Sequence, residues 1–371
     1  MHCSARIRIP GPTNVPGRVL RAMAAPTIDH RGPAFQALAL EVLDLLGPVF
    51  GTKGPVVVYP GSGTGGWEAA LVNTLSPGDT VLAFETGHFA TLWREMAARL
   101  GLVVDFVPGD WRHGVDLGRA ELAADTARTV KAAWVVHNET STGVISPIAE
   151  VRHAMDSARH PALLLDDAVS SLGCVDYRHD EWGVDVTVAG SQKGLMLPPG
   201  ISFNAISEKA LDASASAALP KSYWDWPPIL AANRNGFFPY TPATNLLYGL
   251  REALTMLYDE GLPQVFARRV RHATATRAAV RAWGLDVVCL DGGGHSSSVT
   301  AVLLSDGHNA DKVRDIILDR FDMSLGAGLG TLAGSTFRIG HLGHFNDLTL
   351  AVAVSPSLQP SSALNTATSP A

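Results

Sequence analysis

One lysine, Lys193, lies in a turn made almost entirely of small, uncharged residues. A valine-rich run over 184–188 precedes the turn, whose sequence is Ala-Gly-Ser-Gln-Lys-Gly, and a Pro-Pro-Gly stretch follows. A lysine with so little polar surrounding is expected to lose water, which lowers its pKa and makes its amine a nucleophile toward carbonyl groups. Because most lysines are solvated surface residues, this interpretation needs support from other parts of the chain.

Two adjacent carboxylates, Asp166 and Asp167, end a second apolar run that begins at Ala162. Neighbouring residues of a strand point to opposite faces, so only one of the two can face a given site. Asp167 is favoured because the residues that follow it, 168–173, are small or apolar. A lysine that forms a Schiff base and an aspartate that keeps a pyridine nitrogen protonated are groups that pyridoxal 5'-phosphate (PLP) requires. The pair therefore predicts a PLP enzyme.

A glycine-rich turn over 61–66 joins a strand-like run to a helical pattern. Its small residues allow close approach of the backbone to an anion, and the following helix directs amide donors and its positive dipole end toward it. Ser62 and Thr64 add hydroxyl donors. The turn predicts a phosphate cradle, although tight strand-to-helix turns of this composition also occur without a ligand.

The same turn permits a second interpretation as a dinucleotide site. Gly61, Gly63 and Gly66 match the pattern G-x-G-x-x-G, and Glu85 follows 19 residues after Gly66 (85 − 66). A nicotinamide-dependent dehydrogenase is therefore an alternative. It leaves Lys193 unexplained, and the motif does not open the domain.

Three further residues could complete a cofactor site. Phe89 follows a strand and could stack on a flat ring, although core packing is the commoner role. Thr140 lies in a polar turn and could bond a ring oxygen, or serve as a turn or capping residue. Arg338 is a lone arginine between apolar residues and could bind a substrate carboxylate with two hydrogen bonds, or form a structural ion pair.

Composition limits the class of protein. The chain has 371 residues, 46% hydrophobic and 17% charged, which is enough for a sizeable core in one or two domains. The net charge of −6 argues against nucleic acid or an anionic membrane as partner. Three widely spaced cysteines fit a reducing compartment. We find no signal-peptide pattern, no apolar stretch judged long enough for a membrane span and no metal site, so a soluble cytoplasmic protein is expected.

Strand-like runs alternate with helical patterns up to about residue 206, which predicts a mostly parallel sheet covered on both faces. A helix-rich stretch over 243–283 then leads to a second α/β unit near Leu285. The strands are predicted over 55–59, 80–84, 102–107, 132–137, 162–166, 184–188, 299–304 and 336–339. The helices are predicted over 33–46, 67–75 and 311–320.

Taken together, these motifs resemble the class V branch of the fold-type I PLP-dependent aminotransferases, and more closely the serine–glyoxylate and alanine–glyoxylate aminotransferases. The resemblance extends from residue 10 to about 348 and includes, in order, 61–71, 137–143, 167–173, 190–193 and 338–343. The interval of 26 residues from Asp167 to Lys193 (193 − 167) is also that of the family. Segments 84–93 and 238–244 resemble the serine–glyoxylate members in particular.

The resemblance implies a role for each candidate residue. Lys193 bonds the cofactor and moves the substrate proton, while Asp167 pairs with the pyridine nitrogen. Arg338 binds the substrate α-carboxylate, with Asn14 in the loop that borders it. The implied cofactor-binding residues are Ser62, Gly63, Thr64, Phe89, Thr140, Asp167, Val169, Gln192, Lys193, Tyr240 and Thr241.

Within that set, the resemblance assigns the phosphate to the turn at 62–64 and the two ring faces to Phe89 and Val169. Thr140 contacts the ring oxygen and Gln192 lies beside the lysine. Tyr240 and Thr241 would reach the phosphate of a neighbouring subunit, which implies a homodimer with active sites at the subunit interface.

The implied fold is α/β, a fold-type I PLP transferase with a large domain on a mostly parallel seven-stranded sheet and a small C-terminal α/β domain. We expect an N-terminal segment at the active site (1–15), the large domain (16–260), the small domain (261–350) and a disordered or atypical tail (351–371). The implied reaction moves the amino group of L-serine, or L-alanine, to glyoxylate by a ping-pong mechanism. Hydroxypyruvate, or pyruvate, and glycine are the products.

Other functions remain possible on sequence alone. Another class V transaminase could use a different amino donor, but a phosphorylated donor would need a cationic cluster that we do not find. A cysteine desulfurase is excluded because no cysteine follows Cys289. An inactive structural relative is an alternative that the altered C-terminus leaves open. The chain also departs from the family at Asp166, where valine is usual, and at Phe238, where tyrosine is common.

Overall fold

The computed structural model describes residues 6–118, 130–290 and 294–354. The strands in these ranges are β1 (Arg6–Arg8), β2 (Val56–Gly61), β3 (Thr80–Phe84), β4 (Val103–Val107), β5 (Val130–Val136), β6 (Asn138–Glu139), β7 (Val144–Ile145), β8 (Leu163–Asp167), β9 (Val186–Gly190), β10 (Gly200–Ile206), β11 (Asp286–Val287), β12 (Val299–Leu303), β13 (Met323–Ala327) and β14 (Thr336–Gly340). The α-helices there are α1 (Gly17–Met23), α2 (Pro33–Phe50), α3 (Gly63–Thr74), α4 (His88–Arg99), α5 (Ile148–Ser157), α6 (Glu208–Ser214), α7 (Trp226–Asn233), α8 (Thr244–Glu260), α9 (Leu262–Ala282), α10 (Ala310–Phe321) and α11 (Asp347–Ala353).

The large sheet has seven strands in the order β2-β10-β9-β8-β5-β3-β4. Six of them are parallel to one another, and only β10 runs antiparallel to both of its neighbours. The predicted mostly parallel, seven-stranded α/β fold is therefore confirmed. Strand β10 is absent from the sequence prediction because no helix separates it from β9. A connection that short requires antiparallel strands, whereas parallel neighbours need a longer crossover.

The parallel arrangement brings the predicted site segments to one edge of the sheet. Strand β2 leads into the glycine turn, and β5 leads into the turn at 137–143. Strand β8 ends with Asp167, and β9 leads into the loop that carries Lys193. Ligands of open α/β sheets bind outside this edge. The topology thus brings residues more than 100 positions apart in sequence to a single region.

A second sheet has five strands in the order β1-β13-β14-β12-β11. Strand β1, which the sequence does not predict, pairs in parallel with β13, so the N-terminal segment is part of this small sheet. The domain boundaries themselves stay predictions. Helix α11 ends at Ala353 and so enters the segment predicted as a tail without helix, and the Asn346 side chain caps it by accepting the amide of Thr349 at 2.9 Å. Residues 355–371 of that predicted tail lie outside the described residues.

Helix α2 corrects one expectation from the sequence. Over its 18 residues the mean hydropathy is 1.4, so by length and composition it could cross a membrane. Phe35, Leu46 and Phe50 on this helix are fully buried in the large core, where α2 packs on α8 and β2. Its apolar composition is therefore accounted for by core packing.

Cationic residues of α9 hold the chain that follows β14, the strand that carries Arg338. Arg269 is fully buried and donates to the carbonyls of His341 and Gly343. Arg268 donates to the carbonyl of Phe345 at 2.8 Å. These bonds satisfy carbonyls that the turn would otherwise bury without partners, and they fix the far end of β14.

We predict that Arg269→Ala lowers the free energy of unfolding by about 3 kcal/mol, because it removes two charge-assisted hydrogen bonds from a buried site. Arg271→Ala on the same helix is the control, since Arg271 pairs with Asp347 at the surface and should contribute below about 1 kcal/mol. Urea unfolding midpoints of the two variants measure the difference. Equal midpoints would show that Arg269 does not hold this segment.

Candidate active site

Lys193 is buried in the β9–β10 loop beneath the N-terminal segment. Its Nζ donates to the carbonyl of Pro10 at 2.7 Å. Its exposed fraction is 9%, which excludes the surface-lysine alternative. Burial, with a contribution from the charge of Arg338, lowers the pKa of Lys193 to about 8. About a tenth of the amine is therefore unprotonated at pH 7, far more than for a lysine of ordinary pKa, and this free amine is the form that acts as a nucleophile.

The N-terminal segment packs closely on this lysine. A Cβ at Gly11 would lie 2.5 Å from Lys193 Cδ, and its φ of +119° also favours glycine. The amide of Thr13 donates to the carbonyl of Gln192 at 3.1 Å. Asn14 lies in the same segment, but its side chain donates to the carbonyl of Ile7 rather than bonding to a residue that Arg338 contacts. The contacts explain why water is excluded from Lys193.

Asp166 and Asp167 point to opposite faces of the large sheet, as the strand geometry predicts. Asp167 Oδ1 accepts the amide of Val169 at 2.7 Å, and Oδ2 accepts the indole Nε1–H of Trp67 at 3.1 Å. Burial raises the pKa of Asp167 to about 7. Asp167 thus lies on the face covered by α3, next to the glycine turn, and Trp67 is a contact that sequence analysis did not identify.

The glycine turn leaves amide donors available at the start of α3. The amides of Gly65 and Gly66 donate to the carbonyl of Ser62, whereas those of Gly63 and Thr64 have no partner among the described residues. A Cβ at Gly63 would lie 2.6 Å from Val169 Cγ2, so only glycine fits there. The positive end of a helix with two free amides fits a phosphate group.

Gln192 adds a polar side chain to this cradle. Its Oε1 is buried without a hydrogen-bond partner in the described ranges. A Cβ at Gly190 would lie 3.0 Å from that oxygen and 3.6 Å from the amide nitrogen of Gly63. An unpartnered buried polar atom beside free amides indicates that the cradle is built for a polar ligand. The residues present therefore fit PLP.

The turn itself does not fit a dinucleotide site. It follows β2, which lies at the edge of the large sheet, whereas the dinucleotide fingerprint follows a central strand beside the topological switch point. Glu85, which would bind the ribose in that interpretation, accepts the indole Nε1–H of Trp111 at 3.1 Å. The structure therefore gives no support to the dehydrogenase alternative.

Arg338 is almost fully buried, with an exposed fraction of 8%. Its Nε donates to the carbonyl of Ala327 at 2.7 Å and its Nη1 to that of Thr140 at 3.1 Å. Within the described part of the chain no carboxylate forms a salt bridge with it, so the structural-ion-pair alternative is not realised. Burial lowers its pKa to about 10, which leaves it charged near neutral pH. Its Nη2, for which the described ranges provide no hydrogen-bond partner, can bind a substrate carboxylate.

Glu139 connects Phe89 with the turn at 137–143, and sequence analysis missed it. Its Oε2 accepts the amides of Phe89 and Ala90 at 3.1 and 3.2 Å, so it caps α4, and its Oε1 accepts the amide and hydroxyl of Ser141. The helix cap comes from 50 positions away. No local capping pattern could therefore reveal it.

Thr140 and Phe89, which lie next to Glu139, each contact one further residue of the site. The Thr140 hydroxyl lies 2.5 Å from that of Ser170, after β8. The Phe89 ring meets Trp67 edge-on, with ring centroids 6.4 Å apart. The structure thus brings Phe89, Thr140 and Asp167 to the same side of the large sheet.

Among the described residues, no hydrogen bond or ring contact joins Tyr240 or Thr241 to Lys193 or to its direct hydrogen-bond partner. Tyr240 stacks on Tyr223 at 4.6 Å between ring centroids, and its hydroxyl donates to the carbonyl of Val58. Thr241 is exposed. Their role on a neighbouring subunit stays a prediction. No group of three or more His, Cys, Asp or Glu side chains in the described ranges could hold a metal ion.

Comparisons with known proteins agree with this arrangement. The family model Aminotransferase class-V matches residues 28–331. The serine–glyoxylate aminotransferase of Methylorubrum extorquens is 47% identical over 93% of this chain and 88% of its own. The L-aspartate–glyoxylate aminotransferase of Paracoccus denitrificans is 45% identical over 92% and 87%. The crystal structure of an alanine–glyoxylate aminotransferase from Nostoc sp. superimposes with a TM-score of 0.91 at 31% identity, covering 97% of this chain and 95% of that one.

A second buried carboxyl lies behind the site, on the opposite face of the sheet. Asp166 Oδ2 accepts the hydroxyl of Tyr177 at 2.5 Å, and that hydroxyl also lies 2.8 Å from Thr187 Oγ1. Asp166 Oδ1 has no partner among the described residues. Burial raises the pKa of Asp166 well above its usual range. Burial also lowers the pKa of the neighbouring His137 to about 3, so this imidazole is neutral and offers no countercharge.

We predict that Asp166→Val makes the protein more stable, and that the gain grows with pH. The unfolded chain releases the Asp166 proton near pH 4, whereas the folded chain retains it. The wild type should therefore lose up to about 1.4 kcal/mol of unfolding free energy per pH unit until the raised pKa is reached. Urea unfolding at about pH 5 and pH 7 measures the change. Asp166→Asn, which cannot titrate at this position, should lack this loss, so its stability relative to the wild type should also rise with pH. A difference between variant and wild type that stays constant with pH would contradict the prediction.

Proposed function

The chain belongs to the class V aminotransferase family, and from that premise we propose that it transfers the amino group of L-serine or L-alanine to glyoxylate. The products are hydroxypyruvate or pyruvate, and glycine. It is a PLP-dependent enzyme that acts on small amino acids and 2-oxo acids. The observation that carries the proposal is the buried Lys193, which has a lowered pKa and lies at the sheet edge with Asp167 and Arg338.

The cofactor would lie between the residues that the fold collects at this edge. The free amides of Gly63 and Thr64, with Ser62 and Gln192, would hold the phosphate. Phe89 and Val169 would contact the ring faces, Thr140 the ring oxygen and Asp167 the pyridine nitrogen. When bound, PLP supplies an aldehyde that exchanges amino groups and a ring that accepts the electrons released at the substrate Cα.

The chain's own groups would perform the acid–base and binding steps. Lys193, with a pKa of about 8, is able both to accept and to return the Cα proton near neutral pH. Arg338 would bind the α-carboxylate through its Nη2 and so orient the Cα–H bond toward Lys193. The segment at Pro10 and Gly11 excludes water from the lysine.

Among the described residues, the cations near Arg338 suit an amino donor with a short uncharged side chain better than L-aspartate, the donor named for one relative. A second donor carboxylate would need a second cation near Arg338. Arg314, whose charge acts on Arg338, is already paired with Asp311 at 2.7 Å. Serine and alanine need no such partner, so we place them first and L-aspartate second.

We further infer a soluble, cytoplasmic homodimer with each site completed by its partner subunit. Tyr223 is 46% exposed and stacks on Tyr240, beside the exposed Thr241. Trp224, the next residue, packs against the glycine turn at Gly65. An exposed aromatic surface next to a phosphate cradle supports an interface at this position.

The test of transamination is the visible absorption spectrum of the purified protein, followed by single half-reactions. We expect a yellow protein whose absorption is abolished by borohydride, with the label on Lys193, and a colourless Lys193→Ala variant. L-serine or L-alanine should remove the absorption, and glyoxylate should restore it. A colourless wild type that cannot be reconstituted with PLP, or one that is yellow but unchanged by serine, alanine and aspartate, would contradict the proposal.

The shared site can be tested by mixing two inactive variants. If Tyr240 serves the neighbouring subunit, a dimer of Lys193→Ala with Tyr240→Ala contains one intact site. Equal mixing should then restore about a quarter of the wild-type activity, since half of the dimers are mixed and each has one such site. No recovery, although an untagged variant co-purifies with a tagged one and so shows exchange of subunits, would place Tyr240 in its own subunit's site or in none.

A further inference from the structure

Three buried tryptophans form a stack between the helices and the large sheet. The rings of Trp67 and Trp93 have centroids 5.6 Å apart and an interplanar angle of 12°, and those of Trp93 and Trp134 have centroids 5.1 Å apart and an angle of 26°. All three are buried. The indole Nε1 atoms of Trp93 and Trp134 have no partner among the described residues, whereas that of Trp67 donates to Asp167.

The stack holds Trp67 in a fixed orientation. Trp93 covers one of its faces, and Phe89 meets it edge-on. Its side chain belongs to α3, directly after the glycine turn. A buried indole N–H usually finds a partner, and here the partner is the carboxylate expected to face the cofactor nitrogen. Trp67 thus contacts both Asp167 and the aromatic ring expected to cover the cofactor.

Asp167 needs donors because its surroundings oppose its ionisation. Burial raises its pKa, and the charge of Glu139 acts in the same direction, whereas Lys193 on the β9–β10 loop lowers it. Asp166 and Tyr177 lie behind it, and their own pKa values are raised, so both are neutral near pH 7. Two N–H groups bond the carboxylate, the amide of Val169 and the indole of Trp67. Trp67 is the side-chain donor of this pair.

We propose that Trp67 is the positioning residue for Asp167, which it keeps ionised and aimed at the pyridine nitrogen of PLP through its indole N–H. The inference rests on the proposed function, since it assigns Trp67 a role toward the cofactor of that reaction. An ionised carboxylate pairs with a protonated ring nitrogen, whereas a protonated carboxyl group does not. Loss of the indole donor should therefore weaken PLP binding most at the pH values where Asp167 becomes protonated.

The matched variants are Trp67→Phe and Trp93→Phe. Both make the same substitution in the same stack, but only the first removes a hydrogen bond to Asp167. Titration of the apoprotein with PLP between about pH 6 and pH 9 gives the dissociation constants. We expect Trp67→Phe to weaken binding about tenfold or more near pH 6.5, the range for a hydrogen bond to a charged group, and less at higher pH. Trp93→Phe should change the dissociation constant for PLP by the same factor at every pH.

A loss for Trp67→Phe that does not depend on pH would overturn the proposal, because it would show a packing role alone. PLP binding by the wild-type protein tests the proposed function separately. A wild type that does not bind PLP would contradict the proposed function, whatever the variants show. If Trp67→Phe does not fold, the indole ¹H–¹⁵N signals of the wild-type apoprotein decide. The Trp67 signal should titrate near pH 7 and stop doing so in Asp167→Asn, and those of Trp93 and Trp134 should not move. A Trp67 signal that titrates in Asp167→Asn as it does in the wild type would exclude the bond.

Discussion

The site depends on one interaction, the burial of Lys193 beneath the N-terminal segment. The carbonyl of Pro10 accepts a hydrogen bond from Lys193 Nζ. At Gly11 the lysine side chain leaves no room for a Cβ. The same segment begins as β1 in the small sheet. Since a Cβ at Gly340 would lie 2.3 Å from the carbonyl of Ile9, the segment also fits tightly against the end of β14. The environment of the lysine is thereby set jointly by both sheets.

Four buried ionisable groups then balance one another at the carboxyl edge of the large sheet. The charge of Arg338 disfavours the charged form of Lys193, whereas Glu139 favours the charged form of Arg338 and opposes that of Asp167. Hydrogen bonds decide which groups stay ionised. Glu139 accepts four of them, although its burial raises its pKa. Burying these charged groups lowers the free energy of unfolding. Burial of apolar side chains in the cores on both faces of the sheet must compensate for this loss.

The sequence was sufficient for the parallel sheet and for the residues at its carboxyl edge, because both follow from local patterns. Short apolar runs between helices predict parallel strands, and a strand's alternation separates Asp166 from Asp167. Strand β10 is not predicted because no helix separates it from β9, and strand β1 is not predicted because its partner β13 is distant in sequence. Glu139 and Trp67 were missed for the same reason, since the first caps a helix 50 positions away and the second bonds a carboxylate 100 positions away. Residue spacing carries no signal for contacts of that kind.

The departure at Asp166 shows how the sheet separates the site from the rest of the protein. Asp166 and Asp167 are neighbours in β8, yet one meets Tyr177 and the other Trp67 on opposite faces. A second ionised carboxylate directly behind Asp167 would disfavour the ionisation of Asp167, and the protonated cofactor nitrogen needs that negative charge as its partner. Burial without a cation keeps Asp166 protonated, so it adds no negative charge there. A carboxyl at position 166 is therefore compatible with the site because the protein interior keeps that carboxyl neutral, at a cost in stability that rises with pH.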